Sequence, residues 1–326
     1  MTTRRQIILG AAAAAGLLAQ RTAFAQEWAP TRPITVVVPY PPGGLLDGIA
    51  RKIGEKMAVS LKQAVVIDNK PGANTMIGAQ LVSKAPADGH TLLFGTDATI
   101  SISPFLYRKV AYEASDFVPI TLVADTVECL IANPKVPATN MREFAAWAKR
   151  EGKKINFGTY GIGSNAHLST AELEHMIGTE MNHIPYKGQA DLYQALLTGD
   201  IQFVVGTTGI ATQYIQDGRL KLIAPLRQKR APQFPNTPSA TEQGFQVNFP
   251  GAWFGYLAPA KTPPAAIQRL AREIRAAAED PDLQANSMVK MGLEPAAFGT
   301  EAMTRRLEGD RVRYKTLIDR LQLKLD

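Results

Sequence analysis

From Pro33 onward, short apolar runs alternate with helical stretches. Residues 34–39 (ITVVVP) form an unbroken apolar run, the pattern of a strand covered on both faces. The run breaks at Tyr40-Pro41-Pro42-Gly43-Gly44, and helical spacing follows from about 47 to 61. A second strand is expected at 65–67, closed by Asn69-Lys70-Pro71-Gly72, then a helix over about 76–85 and a third strand at 91–95. This βαβαβ rhythm predicts a parallel sheet with right-handed crossovers.

The middle of the chain repeats the rhythm. A long β-like segment at 120–132 leads to a helix at 141–149, a strand at 155–157 and a helix at 165–177. A strand at 183–186, a helix near 191–197, a strand at 201–205, a helix at about 212–217 and a strand at 221–225 complete a second α/β lobe. A loop rich in proline and polar residues, 228–251, precedes the β-like segment 253–258 (WFGYLA), and two helical stretches, about 264–278 and 300–321, close the chain. The segments 120–132 and 253–258 bracket the middle lobe and are read as two crossings between lobes that act as hinges. The expected fold class is thus an α/β two-lobe protein, each lobe a mainly parallel sheet flanked by helices. The boundaries are 26–125 with 251–326 for the first lobe and 126–250 for the second.

The N-terminus sets the expected compartment. Arg4 and Arg5 precede an apolar run at 7–18 and then Ala23-Phe24-Ala25, the layout of a signal peptide over 1–25 cleaved near Ala25. The run is well short of the roughly 20 residues a membrane-spanning helix needs. Thr3-Arg4-Arg5-Gln6-Ile7-Ile8 suits either a twin-arginine signal or a Sec signal with two arginines in its charged end. Either route implies export to the periplasm.

Without 1–25 about 300 residues remain, enough for two cores. The full chain carries 36 Lys and Arg against 29 Asp and Glu; removing Arg4, Arg5 and Arg21 leaves 33 against 29, or +4. This mild excess is spread out, which excludes a nucleic-acid stripe and at most favours encounter with anions. Cys129 is the sole cysteine, so no intramolecular disulfide is available, and its apolar setting predicts a buried thiol.

Four loops carry candidate chemistry, because ligands of open α/β sheets bind where strands give way to helices. The loop over 39–47 has prolines that stiffen it and Gly43-Gly44, which let backbone N–H groups approach a ligand. A helix N-terminus there accommodates a carboxylate without arginine; the alternative is a plain turn capped by Asp47. The loop over 158–167 (GTYGIGSNAH) offers Ser164 or Asn165 as cap or ligand contact. Thr96-Asp97-Ala98-Thr99 and Tyr186-Lys187-Gly188-Gln189 are polar loops that either meet a ligand or stay solvated.

Enzyme signatures are missing: the chain has no G-x-S-x-G elbow, H-E-x-x-H or phosphate-binding loop. His90, His167, His175 and His183 lack metal-ligand spacing. Only His167 adjoins a candidate loop, as a structural residue or as part of a cleft. No metal or cofactor is expected.

In order along the chain, ITVVVPYPPGGLLD at 34–47, DNKPGANTMIG at 68–78, PADGHTLLFG at 86–95, GIGSNAHL at 161–168, IPYKG at 184–188 and WFGYLAPAKTPP at 253–264 resemble the periplasmic receptors of tripartite tricarboxylate transporters, the Bug family. The resemblance implies a periplasmic binding protein of type II-like form that closes on a carboxylated solute held by backbone groups, hydroxyls and water from both lobes. Carried onto this chain, first-lobe contacts are Pro42, Gly43, Gly44, Leu45, Asp47, Asn74 and Thr96; second-lobe contacts are Gly161, Ser164, His167, Tyr186, Lys187 and Gly188. The implied partners are a small carboxylate solute and membrane transporter subunits, with no nucleic acid, and the protein is expected to be a monomer.

Three departures bear on the solute. Leu45-Leu46 replaces the usual small or hydroxyl residue, Gln189-Ala190-Asp191 replaces a segment that includes proline, and Gly206-Thr207-Thr208 stands where an acid usually follows its strand. They predict an aliphatic or aromatic mono- or dicarboxylate in preference to an amino-bearing one. The alternatives are an exported α/β hydrolase or lyase using His167 with Ser164 or Asp47, and a sensor subunit binding the same solute.

Overall fold

The computed structural model describes residues 28–326 except 248, 250, 297 and 298, so the expected signal peptide lies outside the described residues. The first apolar run is strand β1 (Ile34–Val38), followed by β2 (Val65–Asn69) and β3 (Thr91–Thr96). Next come β4 (Phe117–Thr126), β5 (Glu128–Ala132), β6 (Asn156–Thr159), β7 (Asn182–Pro185), β8 (Phe203–Thr207), β9 (Lys221–Pro225), β10 (Trp253–Pro259) and β11 (Leu293–Pro295). They form two sheets, a six-stranded one in the order β11-β4-β10-β3-β1-β2 and a five-stranded one in the order β7-β6-β8-β5-β9.

The sheets are mixed, which corrects the expectation of mainly parallel ones. β1 runs parallel to β2 and β3, and β6 parallel to β7 and β8, as the βαβ rhythm requires. β10 re-enters from the other lobe and slots antiparallel between β3 and β4, and β5 enters from the first crossing to run antiparallel to β8 and β9. A strand arriving from another sheet has no crossover helix to set its direction, so periodicity is silent about it.

The segment 120–132 divides as a crossing does: β4 ends at Thr126 in one sheet and β5 begins at Glu128 in the other. The return crossing lies alongside, with Thr126 N–H donating to the Ala252 carbonyl at 2.8 Å and Ala252 N–H to the Thr126 hydroxyl at 2.8 Å. A side chain on Gly251 (φ +70°) would sit 2.1 Å from the Thr126 carbonyl oxygen, so the two chains run side by side only because this position lacks one. Arg306 clamps the junction, donating to the Gly251 carbonyl and pairing with Asp125 and Asp310.

Helices cover both sheets by the usual amphipathic logic. Helix Leu45–Leu61 turns Ile49, Ala50, Ile53 and Met57 inward at three- and four-residue spacing, each large side chain contributing about 1.5–3 kcal/mol by burial. Helix Pro264–Ala278 starts with proline in its first turn and buries Ile267, Leu270 and Ile274 against the same core. The second lobe has its own cores around Phe144, Phe157 and Phe203, and around Cys129, which is a fully buried free thiol. The C-terminal helix Thr300–Arg320 spans both lobes: Tyr314, Leu317 and Ile318 pack with Ile102 and Leu106 of one and Leu168 of the other. No helix among the described residues is long and apolar enough to cross a membrane.

Candidate functional site

Between the lobes lies a cleft of about 790 Å³ with mostly apolar walls. Its lining includes residues from the N-terminal ends of five helical segments. Leu45 and Leu46 open Leu45–Leu61, Ala98 opens the π-helical turn Ala98–Ile102, Asn165 opens Asn165–Ile177, Gln189 opens Gln189–Thr198, and Gly209 and Ile210 lie in the first turn of Thr208–Gln216. Partial positive charge at helix starts thus surrounds one space.

The deep lining residues Thr96, Asp97, Thr126, Glu128 and Asn165 are buried, whereas Ile162, Ile210, Lys290 and Met291 are exposed at the rim. Lys290 is the sole lysine or arginine among the described lining residues. Tyr40, held at 3.1 Å from the Thr96 hydroxyl, has its phenol pushed up to about 12 by burial, against the opposing hydrogen bond to Thr96.

Asp97 is fully enclosed and well satisfied. Its Oδ2 accepts from Asn165 Nδ2 at 2.7 Å and from Tyr314 OH at 2.7 Å, and its Oδ1 accepts from Ala98 N–H at 2.9 Å. Burial raises its pKa above the ordinary carboxylate value, with the Tyr314 and Asn165 bonds opposing. Glu128 is also enclosed, 2% exposed, but its Oε2 has no hydrogen-bond partner among the described residues. Burial pushes it up to about 7, helped by the Asp97 charge and opposed by Arg313 and the Thr126 hydroxyl.

Of the residues proposed from sequence, Leu45, Asn74, Thr96, Gly161 and Ser164 line the cleft. Asn74 lies in a left-handed run with Ala73 and Thr75, and its amide donates to Ser103 at 3.3 Å. Ser164 caps its helix by accepting from His167 N–H at 3.3 Å, and its hydroxyl donates to the Gly161 carbonyl at 2.7 Å. Gly163 (φ +74°) brings this loop against Leu106 of the first lobe, where a side chain would lie 2.3 Å from a leucine methyl.

The other proposed residues lie outside the lining. Pro42, Gly43 and Gly44 form an exposed turn, and Asp47 is folded back beneath it, accepting from Gly43 N–H at 2.9 Å and pairing with Arg51. The Arg51 hydrogen bond is the main cause of an Asp47 pKa lowered to about 2. His167 accepts from Gly163 N–H at 3.0 Å through Nδ1 and stacks on His183, ring centroids 4.2 Å apart. Tyr186 is half-buried against the second-lobe core, Lys187 is exposed, and Gly188 precedes the lining residue Gln189.

Sequence reasoning passed over Tyr40, Glu128, Tyr160, Phe254 and Met291 as site residues. For Glu128 a signal existed: with Asp125 it is one of two charges in the largely apolar stretch 120–132. Among the described residues no cluster of three or more His, Cys, Asp or Glu could hold a metal ion.

The family described as tripartite tricarboxylate transporter family receptor matches residues 49–323. A UPF0065 protein from the tcbD-tcbE intergenic region of Pseudomonas sp. (strain P51) is 32% identical over 97% of this chain and 94% of its own length. Among solved structures, the periplasmic binding protein BugD is 32% identical with a TM-score of 0.72, covering 91% of this chain and 100% of that one. An R. palustris protein solved with adipate is 28% identical with a TM-score of 0.77 over 91% of this chain and 99% of that one. MatC from Rhodopseudomonas palustris, solved with malate, is 28% identical with a TM-score of 0.71 over 89% and 99%.

Proposed function

The chain belongs to the tripartite tricarboxylate transporter receptor family, and from that premise we propose that it captures a small carboxylated solute in the interlobe cleft and delivers it to the membrane subunits of such a transporter. The observation that carries this reading is that five helix starts contribute to the lining of one cleft whose described lining holds a single lysine and no arginine. Dipoles and backbone N–H groups stabilise an anion there without the desolvation of a buried arginine. Asn74 and Thr96 from one lobe and Gly161 and Ser164 from the other are the proposed carboxylate contacts. Pro42, Gly43, Gly44, Tyr186, Lys187 and Gly188 adjoin lining residues and would join them as the loops tighten on closure.

The closing bodies are residues 26–125 with 251–326, and residues 126–250, hinged where Thr126 and Ala252 lie side by side. The solute must favour the closed form, since equal affinity for both forms shifts nothing. Within the expected class of aliphatic or aromatic mono- or dicarboxylates, structural neighbours solved with adipate and malate support the aliphatic dicarboxylates. A neighbour described as periplasmic supports residence in the periplasm.

The hydrolase alternative lacks its machinery. Ser164 Oγ meets the backbone N–H of His167, not its ring, that ring is engaged by Gly163 and His183, and Asp47 pairs with Arg51, so the His167 ring holds neither Ser164 nor Asp47 as a base would. The test is a thermal-shift screen against mono-, di- and tricarboxylates, amino acids and sugars. A rise of several degrees for a carboxylate class at about 100 Kd is expected. No shift with any carboxylate, or chemical turnover of one, would overturn the reading.

A further inference from the structure

The preference against an amino-bearing solute rested on the absence of an acid after β8, where Gly206-Thr207-Thr208 stands. The tertiary structure supplies one from the adjacent strand. In the antiparallel pairing of β5 with β8, Glu128 lies directly opposite Thr207, and both residues line the cleft. Directly opposed residues of an antiparallel pair share a face. A carboxylate therefore reaches the place where the neighbouring strand lacks one.

Glu128 is buried, its Oε2 is unpartnered, and it faces the cleft beside the first crossing. Asp97 stands nearby with its oxygens already engaged by Tyr314, Asn165 and Ala98, so it adds negative potential without offering itself as a partner. An enclosed carboxyl with an unpaired oxygen is costly, and native structures keep such groups where a ligand or a function uses them. Above about pH 7, where Glu128 is ionised, a second solute carboxylate placed here would meet its negative charge. A donor placed here would complete the Glu128 hydrogen bonds.

We propose that Glu128 reads a hydrogen-bond donor on the solute, so that the preferred ligand is a carboxylate that also carries an amino or hydroxyl group. The solute carboxylate sits toward the helix starts and the donor points at Glu128 Oε2. This rests on the receptor reading above and narrows its solute class. The raised pKa of Glu128, about 7, accords with a group whose charged form lacks its stabilising partner.

The test is calorimetric titration of the purified protein at about pH 8, where Glu128 is ionised, with matched acids: butanoate, its 2- and 4-hydroxy and 2- and 4-amino derivatives, and succinate. At least one donor-bearing acid is expected to bind about tenfold or more tighter than both butanoate and succinate, the scale set by a buried group left unpaired. That preference should collapse in Glu128→Leu. In Glu128→Gln a hydroxyl preference is expected to persist, because the amide oxygen still accepts, and an ammonium preference to vanish; Gln also serves if Leu impairs folding. If butanoate or succinate binds as tightly as every donor-bearing acid, or if the preference survives both substitutions, the inference is overturned while the receptor stands. If none of these acids binds and no carboxylate in the wider thermal-shift screen does either, the receptor reading itself fails and this inference with it.

Discussion

Asn165 Nδ2 donates to Asp97 Oδ2 at 2.7 Å across the two lobes, and both residues line the cleft. Tyr314 closes the triangle, accepting from the Asn165 amide at 2.9 Å and donating to the same Asp97 oxygen. The C-terminal helix thereby ties the start of a second-lobe helix to the loop after β3, at the wall of the solute space. An Arg313 pair with Glu172 reinforces the tie on the same side, and an Arg227–Glu294 pair at 2.5 Å joins the lobes elsewhere.

Asn165→Ala should therefore destabilise the protein by about 1–3 kcal/mol, because a buried Asp97 oxygen loses one of its two donors. Urea unfolding measures this directly. A change near zero would mean that water replaces the amide without cost.

Gly209, in the cleft lining, meets the backbone of Met291 and Gly292 at close range. A methyl there would lie 2.4 Å from the Met291 carbonyl oxygen, in a backbone-to-backbone contact with little room to yield. Gly209→Ala should hold the lobes apart and weaken solute binding about tenfold or more, equal to about 1.4 kcal/mol, while leaving the circular dichroism spectrum unchanged. Unaltered affinity would show that closure does not use this contact.

The Glu128 carboxyl has a defined pH signature. Its folded pKa, raised from 4.5 to about 7, means that the folded form holds its proton more tightly than the unfolded chain. The associated stability is fully present below about 4.5 and is lost as pH rises through about 7. Glu128→Gln, which cannot ionise, should gain on the parent by up to about 3 kcal/mol between pH 4.5 and 8, following roughly 1.4 kcal/mol per unit. Parallel stability curves for the two proteins across that window would contradict the assignment.

The stacked imidazoles act in the opposite direction. Burial, with the neighbouring His167 second, pulls His183 from 6.5 to about 4, and burial also lowers His167. A depressed folded pKa contributes stability that is present above 6.5 and lost as pH falls through about 4. His183→Phe keeps the stack but removes the bond to the Thr159 hydroxyl at 2.7 Å. It should lower the melting temperature at pH 7.5 and flatten its decline between pH 7 and 4, as scanning calorimetry would record.

Much of the architecture was legible in the chain itself. Helices Asn165–Ile177 and Pro264–Ala278 and strand Lys221–Pro225 fall where spacing, capping and apolar runs place them, because a Ser164 cap, a proline in the first turn or a short apolar run acts over a few residues. The segment 120–132 was recognisable as a crossing by its length. The ordered motifs pointed to the family, and the glycine loops to the neighbourhood of the site.

What the chain could not show was set by partners distant in sequence. The direction of β10, the short strand β11 and the π-helical turn Ala98–Ile102 depend on which strands and helices meet them from elsewhere. The same holds within the site. Asp47 turns inward to hold Gly43 and Arg51, while Lys187 points to solvent, although both sit in loops of promising composition. Glu128 enters the cleft because its strand pairs with one that lies about eighty positions later. Local spacing decides which face of an element a side chain occupies; only packing between elements decides what that face meets, and so which buried carboxylate oxygen is paired and which is not.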